Sequence, residues 1–107
     1  MYEGQFVNGM KHGFGKINYN SSDIYRGTFC EGAKEGTGTE YLGLEDEYYE
    51  GEFKNNQREG HGKCLNHKLE LRDGQWKRNK FMGKVETSTF SLLYFNKLGM
   101  LIFSNPI

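Results

Sequence analysis

The pentapeptide Tyr2-Glu3-Gly4-Gln5-Phe6 returns as Tyr25-Arg26-Gly27-Thr28-Phe29 and again as Tyr49-Glu50-Gly51-Glu52-Phe53, and a worn fourth copy reads Arg72-Asp73-Gly74-Gln75-Trp76. The starts lie 23, 24 and 23 residues apart. A second signature follows each copy at fixed distance: Gly13-Phe14-Gly15, Gly36-Thr37-Gly38, Gly60-His61-Gly62 and, degenerate, Gly83-Lys84-Val85. A unit this short cannot bury its own apolar face, so a repeat at this period confines the chain to an array of stacked neighbours. The repeat also explains an odd composition. Glycine is 15 of 107 residues and aromatics reach 15%, while the mean hydropathy is −0.80. Glycine alone would suggest disorder, but disordered chains are poor in aromatic rings. Eleven of the 15 glycines occupy the recurring sites, so they belong to the architecture.

Within each copy, aromatic residues and glycine alternate with polar residues, the period of two expected of a β-strand. Between the two signatures one position reads Gly9, Gly32, Asn56 and Asn79 in turn. Glycine and asparagine accept positive φ most readily, and tight hairpin turns demand it. Each repeat therefore reads as strand, turn, strand. A two-residue loop at Asn8-Gly9 predicts pairing of Val7 with Met10, Gly4 with Gly13 and Tyr2 with Gly15. The same arithmetic pairs Gly27 with Gly36, Tyr25 with Gly38, Gly51 with Gly60 and Tyr49 with Gly62. One face of each hairpin would then carry a glycine floor flanked by rings, on which the next repeat packs. Aromatic rings bury much area per residue and would offset the scarcity of aliphatic side chains.

Tyr-x-Gly-x-Phe followed by Gly-x-Gly on this period resembles the MORN repeat, the membrane occupation and recognition nexus motif. Met10-Lys11-His12-Gly13-Phe14-Gly15 matches the family's habit of placing His before Gly-x-Gly. The resemblance spans residues 2 to 85, with three good copies; Arg72 in place of Tyr and Val85 in place of Gly set the fourth apart. It implies an all-β fold: consecutive antiparallel β-hairpins stacked into one elongated, twisted sheet with a grooved face, to which the apolar tail outside the match adds a C-terminal cap. Eight strands at about 4.8 Å each would span on the order of 40 Å. Four repeats starting near 2, 25, 49 and 72 would fill residues 1–85, leaving residues 86–107 as a capping or self-association segment. In that tail, residues 90–103 fit strand, turn, strand, and Phe90, Leu93, Tyr94, Lys97 and Leu101 also fit helical spacing. Gly99 and the aromatic and β-branched content favour strands.

The residues offer no catalytic constellation. His12, His61 and His67 sit at unrelated positions, and Cys64-x-x-His67 lacks a second ligand pair, so neither a metal nor a cofactor is expected. Ser21 and Ser22 have no nucleophile-elbow context, and Glu45-Asp46-Glu47 reads as a solvated loop cluster. The Gly-x-Gly pairs are not followed by the Lys-Ser/Thr of a phosphate loop. Lys11-His12-Gly13-Phe14-Gly15 has a superficial likeness to an RNA-binding strand, but it recurs in hairpins on a chain of net charge zero, so no nucleic acid partner is expected. Cys30 and Cys64 form no CxxC motif and read as reduced thiols. The opening Tyr2-Glu3-Gly4 lacks a secretory pattern, and no stretch offers the ~20 apolar residues of a membrane span. The expected setting is cytoplasmic, at the cytoskeleton or the membrane periphery.

Charge is lopsided within the zero net. Residues 31 to 52 carry eight acids against Lys34, and residues 54 to 84 carry nine Lys and Arg against Glu59, Glu70 and Asp73. Two sets of binding residues follow. The ring positions Tyr2, Phe6, Tyr25, Phe29, Tyr49, Phe53 and Trp76 would build the stack and form a groove for a partner's peptide or helix. Lys77, Arg78, Lys80 and Lys84 would attract an acidic partner or an anionic phospholipid membrane. The expected function is a non-enzymatic protein-interaction or scaffold module. The alternatives are direct lipid binding through the basic patch and targeting of a larger enzyme assembly. Self-association to a dimer through residues 90–103 is a further expected contact.

Overall fold

Alternating residues and positive-φ turns produce hairpin after hairpin. The computed structural model describes residues 1–20, 22–83, 85–86 and 90–104. Its elements are β1 (Tyr2–Val7), β2 (Met10–Asn18), β3 (Asp23–Cys30), β4 (Ala33–Leu42), β5 (Glu47–Lys54), β6 (Gln57–Leu65), β7 (Leu71–Lys77), β8 (Lys80–Phe81), β9 (Val85–Glu86) and α1 (Phe90–Ser104). Strands β1 to β8 lie side by side in chain order, each antiparallel to the next, and β9 also pairs with β7. The molecule measures 42 × 34 × 20 Å, in keeping with eight stacked strands.

All four hairpin turns have two consecutive residues at positive φ: Asn8-Gly9, Glu31-Gly32, Asn55-Asn56 and Arg78-Asn79. That is the type I′ geometry, whose twist matches the strands it joins. Turns also tie repeats together. The backbone N–H groups of Gly32, Asn56 and Asn79 donate to the carbonyls of Lys11, Lys34 and Arg58 one repeat earlier, at 2.9 to 3.1 Å. Asn56 and Asn79 add a second link, their Oδ1 atoms accepting from the N–H groups of Lys34 and Arg58 at 2.9 Å.

The register within each hairpin differs from the simple arithmetic by two residues. Val7 pairs with Met10 as expected, but Gly4 then pairs with Gly15 instead of Gly13, and Tyr2 with Ile17 instead of Gly15. Gly27 likewise meets Gly38 and Gly51 meets Gly62; Tyr25 faces Glu40 and Tyr49 faces Cys64. The cause is a bulge in the second strand, where Gly13, Gly36 and Gly60 take φ of 75°, 95° and 94°. Skipping those residues brings Gly4, Gly15, Gly27, Gly38, Gly51, Gly62 and Gly74 into one unbroken row across seven strands. Backbones crowd along that row: a Cβ on Gly27 would lie 2.5 Å from the Gly38 Cα and 2.6 Å from the Thr37 carbonyl oxygen.

The sheet is covered on both faces by different means. Tyr2, Tyr25 and Tyr49 lay their rings on Gly15, Gly38 and Gly62 of their own hairpins and start the ring core on one face. On the other face Ile24, Tyr41, Tyr48, Leu65 and Leu71 are successive cross-strand partners forming a single apolar row. Leu93 and Met100 of α1 pack onto it. The tail is thus a helix, and the strand reading of residues 90–103 is corrected. Leu93, Lys97 and Met100, at helical spacing, share the buried side, and a helix pairs its own backbone while covering the row. Lys97 is buried there, donating to the Asn66 carbonyl at 3.3 Å and pairing with Asp46 at 3.1 Å.

Two glycine substitutions should act in opposite directions. Gly27→Ala forces a methyl group onto neighbouring backbone and should cost about 1–3 kcal/mol. Gly99→Ala meets open space inside a helix and should add about 0.5–1 kcal/mol. Urea unfolding of each variant provides the measurement.

Candidate interaction surfaces

The ring positions come together as a continuous zigzag. Phe6, Tyr2, Phe29, Tyr25, Phe53, Tyr49 and Trp76 follow one another with centroids 5.0 to 5.3 Å apart, nearly all edge to face, and Phe81 extends the line beyond Trp76. Each such pair contributes about 0.5–1.5 kcal/mol beyond area burial. The tyrosine hydroxyls are satisfied in the same way in the first three copies: Tyr2, Tyr25 and Tyr49 donate to the carbonyls of Gln5, Thr28 and Glu52 at 2.7 to 2.9 Å. Where Arg72 replaces the fourth tyrosine, Trp76 Nε1 donates to the Gly62 carbonyl at 3.0 Å.

Five of these rings, Tyr25, Phe29, Tyr49, Phe53 and Trp76, are buried; Tyr2 is half-buried and Phe6 is 60% exposed. The interior of the ladder is therefore a core, and its open end is the N-terminal one. Cations form the cover. Lys34 Nζ lies 5.2 Å from the Tyr25 centroid and 5.7 Å from Phe53, and Arg58 lies 4.7 Å from Tyr49 and 5.2 Å from Trp76. Glu40 bridges the two cations at 3.0 Å each, and Glu47 holds Arg58 at 2.7 Å. Burial opposes the charge on Arg58, but its acidic neighbours outweigh that penalty and hold the guanidinium above its ordinary pKa.

Sequence reasoning missed this cover, although its signal was in the spacing. Lys11, Lys34 and Arg58 recur 23 and 24 residues apart, and Phe81 takes the next position. Two members of the acidic run, Glu40 and Glu47, turn inward to these cations and are not part of a free acidic surface.

Three further places remain open. On the ring face, beside the first two repeats, Lys11, Ile17, Tyr19, Phe29, Lys34 and Asn56 line a depression of about 360 Å³. On the opposite face, Phe14, Arg26, Thr28, Thr39, Glu50 and Lys63 help line another of about 540 Å³. On α1, Leu92 and Phe95 point outward, 67% and 68% exposed. Of the basic set, Lys77, Arg78 and Lys80 are exposed at the fourth hairpin tip, while Lys84 lies outside the described residues. Among the described residues no three metal-ligating side chains gather, and no helix is long and apolar enough to cross a membrane.

A sheet of glycine-floored hairpins with a ring ladder defines a repeat-built interaction module, and the family comparison agrees. The chain belongs to the MORN repeat family, whose match covers residues 2–24, 49–65 and 73–84. MORN repeats are non-catalytic modules that mediate protein or membrane interactions. The unmatched second copy folds like its neighbours, with the same turn, bulge and tyrosine hydrogen bond. Alsin from Mus musculus and Alsin from Homo sapiens are each 36% identical over a 93-residue alignment that covers 78% of this chain. Alsin from Rattus norvegicus is 34% identical over the same length. The chain spans about 6% of the length of these curated relatives.

Ionisation should report the two environments. Burial pushes the Cys64 thiol up to about 12, whereas Cys30 is exposed. Maleimide at mildly alkaline pH should label Cys30 in the folded protein and reach Cys64 only in denaturant, as mass spectrometry would show. Burial likewise pushes Tyr41 from 10.0 to about 12 and raises Tyr25, Tyr48 and Tyr49 further. A raised folded-state pKa means stability is complete below the unfolded value and lost as pH climbs through the folded one. Unfolding should therefore set in steeply between pH 10 and about 12, with tyrosinate absorbance rising together with loss of the β circular dichroism signal.

Proposed function

We propose that the chain is a non-enzymatic protein-interaction module, a scaffold element of a cytoskeletal or membrane-associated assembly at the cytoplasmic periphery. In this reading residues 1–85 supply the repeat stack and residues 86–107 close one of its faces. The ring positions serve chiefly as a rigid frame, and the partner's extended or helical segment seats at the uncovered end of the ring face. The observation that carries this reading is the contrast along the ladder. Lys34 and Arg58 lie over inner rings that are buried, while Tyr19, with Lys34 Nζ 4.9 Å from its centroid, stays half exposed beside a depression offering ring, aliphatic and ammonium groups together. An apolar side chain flanked by a carboxylate is the chemistry that fits. Targeting of a larger enzyme assembly is one form of such a module in this reading.

The test is site-specific photo-crosslinking in cells. A photoreactive phenylalanine at Tyr19 should capture a partner that the same group at Phe14, on the opposite face, does not. Capture from Phe14 alone would move the site to the other face and overturn this assignment.

A second reading rests on the exposed Lys77, Arg78 and Lys80 at one hairpin tip, none of which forms a salt bridge among the described residues. Near an anionic surface each contributes about 1 kcal/mol. Co-sedimentation with anionic but not neutral liposomes should then weaken steeply with salt and disappear when these residues and Lys84 become Glu. No sedimentation at low salt would remove direct lipid binding.

A further inference from the structure

The two ends of the sheet are built differently. At the C-terminal end the edge is blunted, with β8 and β9 two residues each. At the other end β1 is six residues long and, among the described residues, pairs with β2 alone. The equivalent first strands β3 and β5 bury four and three of their eight residues, whereas five of the six residues of β1 are exposed. Its apolar members are among them: Phe6 and Val7 are exposed, as is Met1 just before the strand. Proteins usually protect such an edge with lysine, proline or a bulge of its own. β1 has no Lys or Pro, and the extra residues of its bulge lie in β2.

The hydrogen-bond phase of the free edge is also defined. Met1 and Asn18 exchange both backbone hydrogen bonds, at 2.7 and 2.9 Å. Peptide groups alternate sides along an antiparallel ladder. Those of Met1 and Glu3 therefore point inward to β2, and those of Tyr2, Gly4 and Phe6 point to the open edge.

We propose that β1 pairs with β1 of a second copy of this chain, antiparallel about a two-fold axis at Gly4, so that two sheets become one. Side-chain chemistry selects this register. About Gly4, residue pairs sum to eight. Tyr2 then faces Phe6 of the copy on the ring side, while Met1 faces Val7 and Glu3 faces Gln5 on the other. Every cross-strand pair is ring with ring, apolar with apolar, or acid with amide. A two-fold at Glu3 would set two carboxylates opposite each other, and one at Gln5 would put Glu3 against Val7. The Gly4 register also runs the glycine row on into the second molecule. It places a tyrosine against the exposed Phe6 on a directly paired strand, a ring pair added to those that Tyr2 and Phe29, and Tyr25 and Phe53, make across one intervening strand inside the chain. The interface is isologous and closes at two copies. It is independent of the partner assigned to the Tyr19 depression.

Sedimentation velocity across a concentration series tests the pairing. The expected result is a dimer that Phe6→Arg abolishes while the β circular dichroism signal of the folded monomer is retained, and that Leu92→Ser with Phe95→Ser leaves intact. A nitroxide on Val7→Cys, in a Cys30→Ser background, should give a spin–spin distance of about 20 Å, set by six residues of strand between symmetry-related labels. A monomer at the highest soluble concentration would overturn the proposal. So would a dimer that survives Phe6→Arg, or one lost only with the α1 double variant, which would place the contact on the helix.

Discussion

The row of glycines from Gly4 to Gly74 is the constraint on which the rest depends. Along it strands meet with no side chain between them, and the backbone itself becomes the floor on which tyrosine rings lie. A Cβ at almost any point in the row would lift a ring or push two strands apart. The row exists because Gly13, Gly36 and Gly60 adopt positive φ and carry the second strand past two residues. One glycine of each Gly-x-Gly makes the bulge, and the other provides the floor.

From that floor the ring ladder follows, and from the ladder the need for a cover. Aromatic faces attract cations, and Lys34 and Arg58 sit over the rings with Glu40 and Glu47 balancing their charge. A buried charge pair adds little stability by itself, but removing one partner leaves the other uncompensated and costs about 3–5 kcal/mol. The network ties the second repeat to the third through Glu40 and Arg58. The opposite face needs no such device, because α1 covers its apolar row with Leu93 and Met100. The two ends then differ in what they leave open.

Much of this was legible in one dimension. The period, the two strands per repeat and the positive-φ turn positions at Gly9, Gly32, Asn56 and Asn79 are local properties, since backbone permissiveness and alternation act over a few residues. The ring residues could be named for the same reason. Whether they were surface or core could not, because that depended on Lys34 and Arg58 arriving from another strand. The basic tip at Lys77, Arg78 and Lys80 was readable because exposed charge needs no partner to define it.

By itself the sequence determined an array of hairpins with glycine and aromatic residues at fixed positions, because those choices follow from steric limits within each unit. Only the tertiary structure decided the two-residue bulge, the inward turn of Glu40 and Glu47, and the helical state of residues 90–104. The tail shows why. Its spacing suited either a helix or strands, and the choice was made by the row Ile24, Tyr41, Tyr48, Leu65 and Leu71, assembled from five strands, which only a folded sheet presents.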